Sequence, residues 1–252
     1  MAPFVGPSRG LVVVAWTGIA TFAVSAAFFL YTLLVTFATP APPATGDGWA
    51  GPVLTNLLLY AAFGLHHSLF ARQWMRARVQ RAGPPGIERA VYVWTASALL
   101  VALCRLWLPV PGVAWDLRAP WGWLIRVAQL GGAALLVRSV RAVDGLALIG
   151  IRQLTAHLDT HLDTGASPAQ AAPALEVRGP YGWVRHPMHL GTLLVVCATP
   201  SMTLTHLTFA AATLAYVLVA IPFEERSLMR QAPEAYAAYA QQVRWRLVPW
   251  VY

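Results

Sequence analysis

The sequence predicts an all-α integral membrane protein with about six transmembrane segments, the last two forming a helical hairpin. Of its 252 residues, 58% are hydrophobic and only 11% are charged, whereas soluble globular chains carry roughly 25% charged residues. Mean hydropathy is +0.55. The basic residues lie between long apolar stretches instead of forming a basic domain or tail, so the formal charge of +8 reads as membrane topology and not as affinity for nucleic acid.

A bilayer core is crossed by roughly 20 residues of helix. Residues 11–38, 52–70, 90–108 and 121–143 approach or exceed that length. The first stretch lacks an Ala-x-Ala cleavage site and is long for a signal peptide, so it reads as a mature helix. The fourth is interrupted by Arg126, Arg138 and Arg141, whose guanidinium groups can snorkel to the headgroups from either helix end. Residues 144–158, DGLALIGIRQLTAHL, fit an interfacial helix, and a polar Ala-, Pro-, Asp- and Thr-rich connector follows. Residues 187–200 and 202–221 then read as a hairpin that turns at PSMT. Its first arm is short for a span and must tilt, stop part way or be shielded by other helices. A polar helix and an aromatic interfacial tail close the chain. The expected organisation is N-terminal transmembrane helices over 1–143, a cytoplasmic interfacial helix and connector over 144–176, and a C-terminal core over 177–252. Cys104 and Cys197 sit in apolar runs and read as small buried hydrophobes.

Loop charge sets the orientation. Arg72, Arg76, Arg78, Arg81 and Arg89 follow the second span, and Arg152, Arg178 and Arg185 follow the fourth. The tail carries Arg226, Arg230, Arg244 and Arg246, while residues 39–51 and the turn near Pro200 have no basic residue. Six segments with both termini cytoplasmic satisfy the positive-inside rule at every loop.

Three polar clusters fall at the same cytoplasmic level. They are His66 and His67 near the end of the second span, Arg185, His186 and Pro187 leading into the fifth, and Glu224 with Glu225 leaving the sixth. Such a set suits a zwitterion, with the carboxylates facing an ammonium and Arg185 a carboxylate. The same residues also read as topology anchors and solvated helix ends. Tyr181, Trp183 and His189 form either an aromatic wall for a purine or a sulfonium cation, or interfacial anchors. His186 and His189, three apart, could share a helix face with Glu224 or Glu225 as a third metal ligand. The H-E-x-x-H arrangement is absent, and no metal is expected.

GPYGWVRHPMHLG, followed by PFEERSL and then by YAAYAQQVRWRLVPW, closely resembles the C-terminal core of the isoprenylcysteine carboxyl methyltransferase superfamily. In the front half, FGLHHSLFAR, PPGIERAVYV, GVAWD and DGLALIGIRQL resemble its bacterial methanethiol S-methyltransferase branch. The resemblance implies an S-adenosyl-L-methionine site at the cytoplasmic face, formed by Tyr181, Arg185, His186, Pro187, Leu190 and Gly191 and closed by Glu224 and Glu225. His189 stands where the family normally has tyrosine, and it is expected in the same pocket.

The implied reaction is methyl transfer to a small hydrophobic thiol, with methanethiol giving dimethyl sulfide. His66, His67 or His186 is the expected base, because the thiolate is the nucleophile. The other readings are a prenylcysteine carboxyl or phospholipid methyltransferase and a non-enzymatic membrane component or transporter. The soluble dinucleotide-type fingerprint G-x-G-x-x-G is missing. The lipid bilayer is the expected partner, nucleic acid is not, and the expected location is the bacterial inner membrane with the site facing the cytoplasm.

Overall fold

A computed structural model describes residues 9–41, 48–70, 72–82, 87–143 and 179–252. Its described helices are α1 (Arg9–Tyr31), α2 (Ala50–Phe70), α3 (Gln73–Arg81), α4 (Ile87–Leu106), α5 (Trp121–Ala142), α6 (Pro187–Cys197), α7 (Leu204–Gln231) and α8 (Pro233–Gln242). The expected interfacial helix and connector at 144–176 lie outside the described residues.

Among the described residues, four helical stretches are long and apolar enough to cross a membrane: Trp16–Thr36, Ala50–Phe70, Trp121–Ala142 and Leu204–Gln231. The first includes a short π-helical continuation of α1, Thr32–Thr36. Two further apolar helices, Ala90–Leu106 and Pro187–Cys197, are shorter. Against the expectation of about six transmembrane segments, four helices of spanning length and two shorter apolar helices are found among the described residues. At 1.5 Å per residue, the 11 residues of α6 reach about 16 Å, half of a hydrocarbon core of about 30 Å. By the same measure the 28 residues of α7 reach about 42 Å, so α7 outlasts the core. The apolar run expected as this span ends at Ile221, but the helix runs on through Pro222 and carries Glu224 and Glu225 on its last turns.

The described residues divide into two compact units that interleave along the sequence: 9–31 with 61–106, and 32–60 with 107–143 and 179–252. In the first, α1 packs on α4 and α3 on α4. In the second, α5 packs on α6, and α7 packs on α6 and α8.

The α5–α6 contact in the second unit requires glycine on both helices. A Cβ on Gly132 would lie 2.4 Å from the Leu194 Cβ and 3.0 Å from the Gly191 carbonyl oxygen, and one on Gly191 would lie 2.8 Å from the Leu136 nitrogen. Buried Gln129 ties the same pair of helices by donating to the Val195 carbonyl at 2.8 Å. Along α7, His206, Phe209, Thr213 and Val217 follow the helical period and are buried. Phe209 meets Phe37, Tyr60 and Trp107 at ring-centroid distances of 5.3 to 5.5 Å.

The loop before α5 and the hairpin turn form a two-stranded antiparallel pair, β1 (Val113–Asp116) with β2 (Ser201–Thr203). The sequence reading contained no strand. Gly112 enters β1 at φ +115°, where a side chain would strain the backbone and meet Leu204. The fully buried Asn56 side chain exchanges two 2.8 Å hydrogen bonds with the backbone of Leu108. Val110 N–H donates to the Thr205 hydroxyl at 2.8 Å, and the Thr203 hydroxyl donates to the Phe37 carbonyl.

Large apolar side chains such as Trp16, Leu54, Leu58, Trp123, Val127 and Leu130 are exposed, as expected where lipid is the solvent. Gly132→Leu, which drives a side chain into backbone that has little room to yield, is expected to destabilise the protein by about 1–3 kcal/mol. Thermal unfolding in detergent tests this, and an unchanged melting temperature would refute the packing described.

Candidate active site

The segment leading into α6 is held by the C-terminal tail. Arg185 N–H donates to the Trp245 carbonyl at 2.9 Å, and His186 N–H to the Arg246 carbonyl at 2.8 Å. His186 is then the residue preceding α6, its carbonyl accepting from Leu190 N–H at 3.1 Å. Pro187 occupies the first helical position, where its missing N–H costs nothing.

The centre of the cluster is Glu225, whose side chain is only 10% exposed. One of its oxygens accepts from Arg185 Nε at 2.8 Å and lies 3.4 Å from His186 Nε2. The other meets Arg246 Nε at 2.9 Å. Arg185 Nη1 also reaches the carbonyls of Val243 at 3.0 Å and Arg244 at 3.2 Å, where α8 ends and leaves acceptors unsatisfied. Arg185, expected to receive a ligand carboxylate, instead clamps Glu225 and the tail.

Glu224 behaves differently. Its side chain is half exposed, and one oxygen sits 3.2 Å from His189 Nε2 and 3.5 Å from His186 Nδ1. Burial alone would lower the His186 pKa, but hydrogen bonds to Glu224 and Glu225 and their charges outweigh it and raise the value. With a carboxylate facing each ring nitrogen, the imidazolium is the favoured form. Burial, and then the Glu225 charge, push the Tyr236 phenol up.

Of the other expected site residues, Leu190 packs against the core of Leu193, Val217, Ile221 and Leu247. Gly191 lies at the α5–α6 contact. Tyr181, in the 3-10 turn Gly179–Gly182, accepts at its carbonyl from the Tyr239 hydroxyl at 2.8 Å. Trp183 is exposed.

His66 and His67 belong to the first unit. There His66 Nε2 lies 3.0 Å from the Thr95 hydroxyl, and His67 Nδ1 lies 2.7 Å from that of Tyr92. Arg246, expected from the sequence only as a topology charge, also reaches the Tyr252 hydroxyl at 3.2 Å with its guanidinium, and its side chain is 39% exposed. The spacing of VRWR gave a usable signal, since Arg246 is the second arginine of a short motif beside the tail tyrosines.

These features define a helical membrane protein with a charged cluster where its C-terminal hairpin meets its tail. No family model matches the chain. It is 37% identical over 202 residues to the methanethiol S-methyltransferase of Mycobacterium tuberculosis, covering 79% of this chain and 78% of that protein. Over 238 residues it is 33% identical to methanethiol S-methyltransferase 1 of Bradyrhizobium diazoefficiens, covering 92% and 81%. A more distant similarity, 26% over 186 residues and 72% of each chain, connects it to the Nurim homolog of Drosophila pseudoobscura. The chain belongs to the methanethiol S-methyltransferase family.

The two adjacent glutamates are expected to respond differently to loss of charge. Glu225→Gln leaves buried cations without their partner and should cost about 3–5 kcal/mol. Glu224→Gln, at a half-exposed pair, should cost about 1 kcal/mol or less. Melting in detergent distinguishes the two, and equal losses would refute the asymmetry.

Proposed function

We propose that the chain methylates a small thiol, with methanethiol as acceptor and S-adenosyl-L-methionine as donor. The observation that carries this reading is the polar cluster of His186, His189, Glu224 and Arg246 at the end of the C-terminal hairpin, in a chain of this family. The residues present fit such a donor. Glu224 offers a half-exposed carboxylate for an ammonium, Arg246 a partly exposed guanidinium for a carboxylate, and Trp183 and His189 aromatic faces for a ring or a sulfonium. When bound, the donor supplies a methyl group already attached to its leaving group, so positioning and exclusion of water account for much of the rate.

Arg185 and Glu225 position this pocket by holding the tail across the start of α6. Tyr181, Pro187, Leu190 and Gly191 shape its wall through the backbone and helix packing already described. His186 serves as a positioning residue, because both ring nitrogens face carboxylates.

The six-segment topology, with both termini and the site at the cytoplasmic face of the bacterial inner membrane, belongs to the same reading. It is supported by the pairing of β1 with β2 and by the bonds joining Phe37, Asn56, Leu108 and Thr203. These bring together segments that the charge pattern assigns to one side. The division into 1–143, 144–176 and 177–252 is part of this proposal.

The acceptor is tested by supplying labelled S-adenosyl-L-methionine to protein in vesicles with methanethiol, a prenylcysteine or phospholipid, and identifying the product by mass spectrometry. Dimethyl sulfide is expected, and product from prenylcysteine or phospholipid without product from thiols would overturn the assignment. Glu224→Gln should raise the KM for the donor about 10- to 100-fold, the value of a hydrogen bond to a charged group. For topology, single cysteines at residues 39–51, in a background lacking Cys104 and Cys197, should react with an external impermeant label. Cysteines at 76–82 should not, and the reverse pattern would overturn the orientation.

A further inference from the structure

We infer that His186, His189 and Glu224 form a binding site for a zinc-like divalent transition-metal ion. Each of the three offers one ligand atom, an imidazole nitrogen or a carboxylate oxygen, and these atoms lie within 4.8 Å of one another; toward Glu224 the facing nitrogens are His186 Nδ1 and His189 Nε2. The Glu224 oxygen is 3.5 Å from the first nitrogen and 3.2 Å from the second. A tetrahedral ion with metal–ligand distances of about 2.0–2.1 Å holds its donors about 3.3 Å apart. Two edges of the site therefore already have the required length.

The site has the support that such a centre needs. His186 Nε2 lies 3.4 Å from Glu225, whose oxygens are anchored by Arg185 and Arg246. With that nitrogen donating its proton to Glu225, the Nδ1 lone pair is left for a metal, and the ring cannot easily turn away. The two imidazoles are near-parallel, with centroids 5.7 Å apart. His186 is buried and His189 is 28% exposed, while half-exposed Glu224 leaves one side open to solvent. That side gives access to the ion and provides a fourth position for water. Two imidazoles and one carboxylate favour zinc and its transition-metal neighbours over calcium or magnesium, which take oxygen donors. The charges of Arg185 and Arg246 are directed at Glu225, so they oppose the ion less than their proximity suggests. Binding displaces the His186 Nδ1 proton to solvent. The sequence offers these three ligands without an expected metal, and their convergence arises where α7 brings Glu224 beside the start of α6.

A Glu224 carboxylate bound to metal cannot also receive an ammonium, so the ion and the methyl donor exclude one another. That exclusion rests on the function proposed above, whereas the metal site does not. The test uses the full chain in detergent, purified with a tag free of histidine and stripped with a chelator. Zinc is titrated calorimetrically, and cobalt(II) is added as a spectroscopic substitute. One zinc per chain and a four-coordinate cobalt spectrum are expected, with affinity reduced more than tenfold in both His189→Tyr and Glu224→Gln. No zinc uptake by the wild-type chain, or uptake unchanged in folded Glu224→Gln, would overturn the site. If His189→Tyr does not fold, half-exposed Glu224→Gln decides the question. S-adenosylhomocysteine is then titrated with and without zinc. Weaker binding in the presence of zinc supports exclusion, and equal binding refutes it. Zinc binding without any S-adenosylhomocysteine binding to the metal-free protein would defeat the donor reading and leave the metal site standing.

Discussion

The buried carboxylate of Glu225 is the interaction on which the C-terminal half depends. It joins three parts of the chain that share no sequence proximity: Arg185 and His186 before α6, its own helix α7, and Arg246 in the tail. Removing such charges from water is costly, and it is tolerated only because each carboxylate oxygen meets a guanidinium in hydrogen-bond geometry. The same clamp lets Arg185 satisfy the carbonyls at the end of α8. Successive residues on a helix point about 100° apart, so once Glu225 faces inward its neighbour Glu224 must face elsewhere. Two adjacent and chemically identical side chains thus sit differently, one buried between two guanidinium groups and one half exposed beside two imidazoles.

A second constraint comes from the solvent. In lipid, backbone and side-chain polar groups must find partners within the protein, and the second unit does this with short side chains set against backbone. Asn56 pairs with both backbone groups of Leu108, Thr205 with those of Val110, and Gln129 with the Val195 carbonyl. These bonds replace apolar packing as the source of specificity, since outward-facing leucines and valines gain little from protein over lipid. The glycines at the α5–α6 contact serve the same end by allowing the two backbones to approach.

The sequence by itself determined the membrane class, the four long helices and the two segments that carry the charged cluster. Each rests on a local property: apolar run length, loop charge, or residue type within a short motif. It also identified GVAWD and PSMT as notable, but only the fold pairs them as β1 and β2, because strand pairing across some 85 residues leaves no periodic trace. The reach of α7 past Pro222 was likewise decided by tertiary contacts, because a proline ends a helix by local rules and is tolerated where neighbouring elements support the chain. The division of labour between Glu224 and Glu225, the capping task of Arg185 and the place of Arg246 were illegible for the same reason. Residue identity states which charges exist, but which of them are neutralised and which stand open depends on distances between segments that only the folded chain brings together.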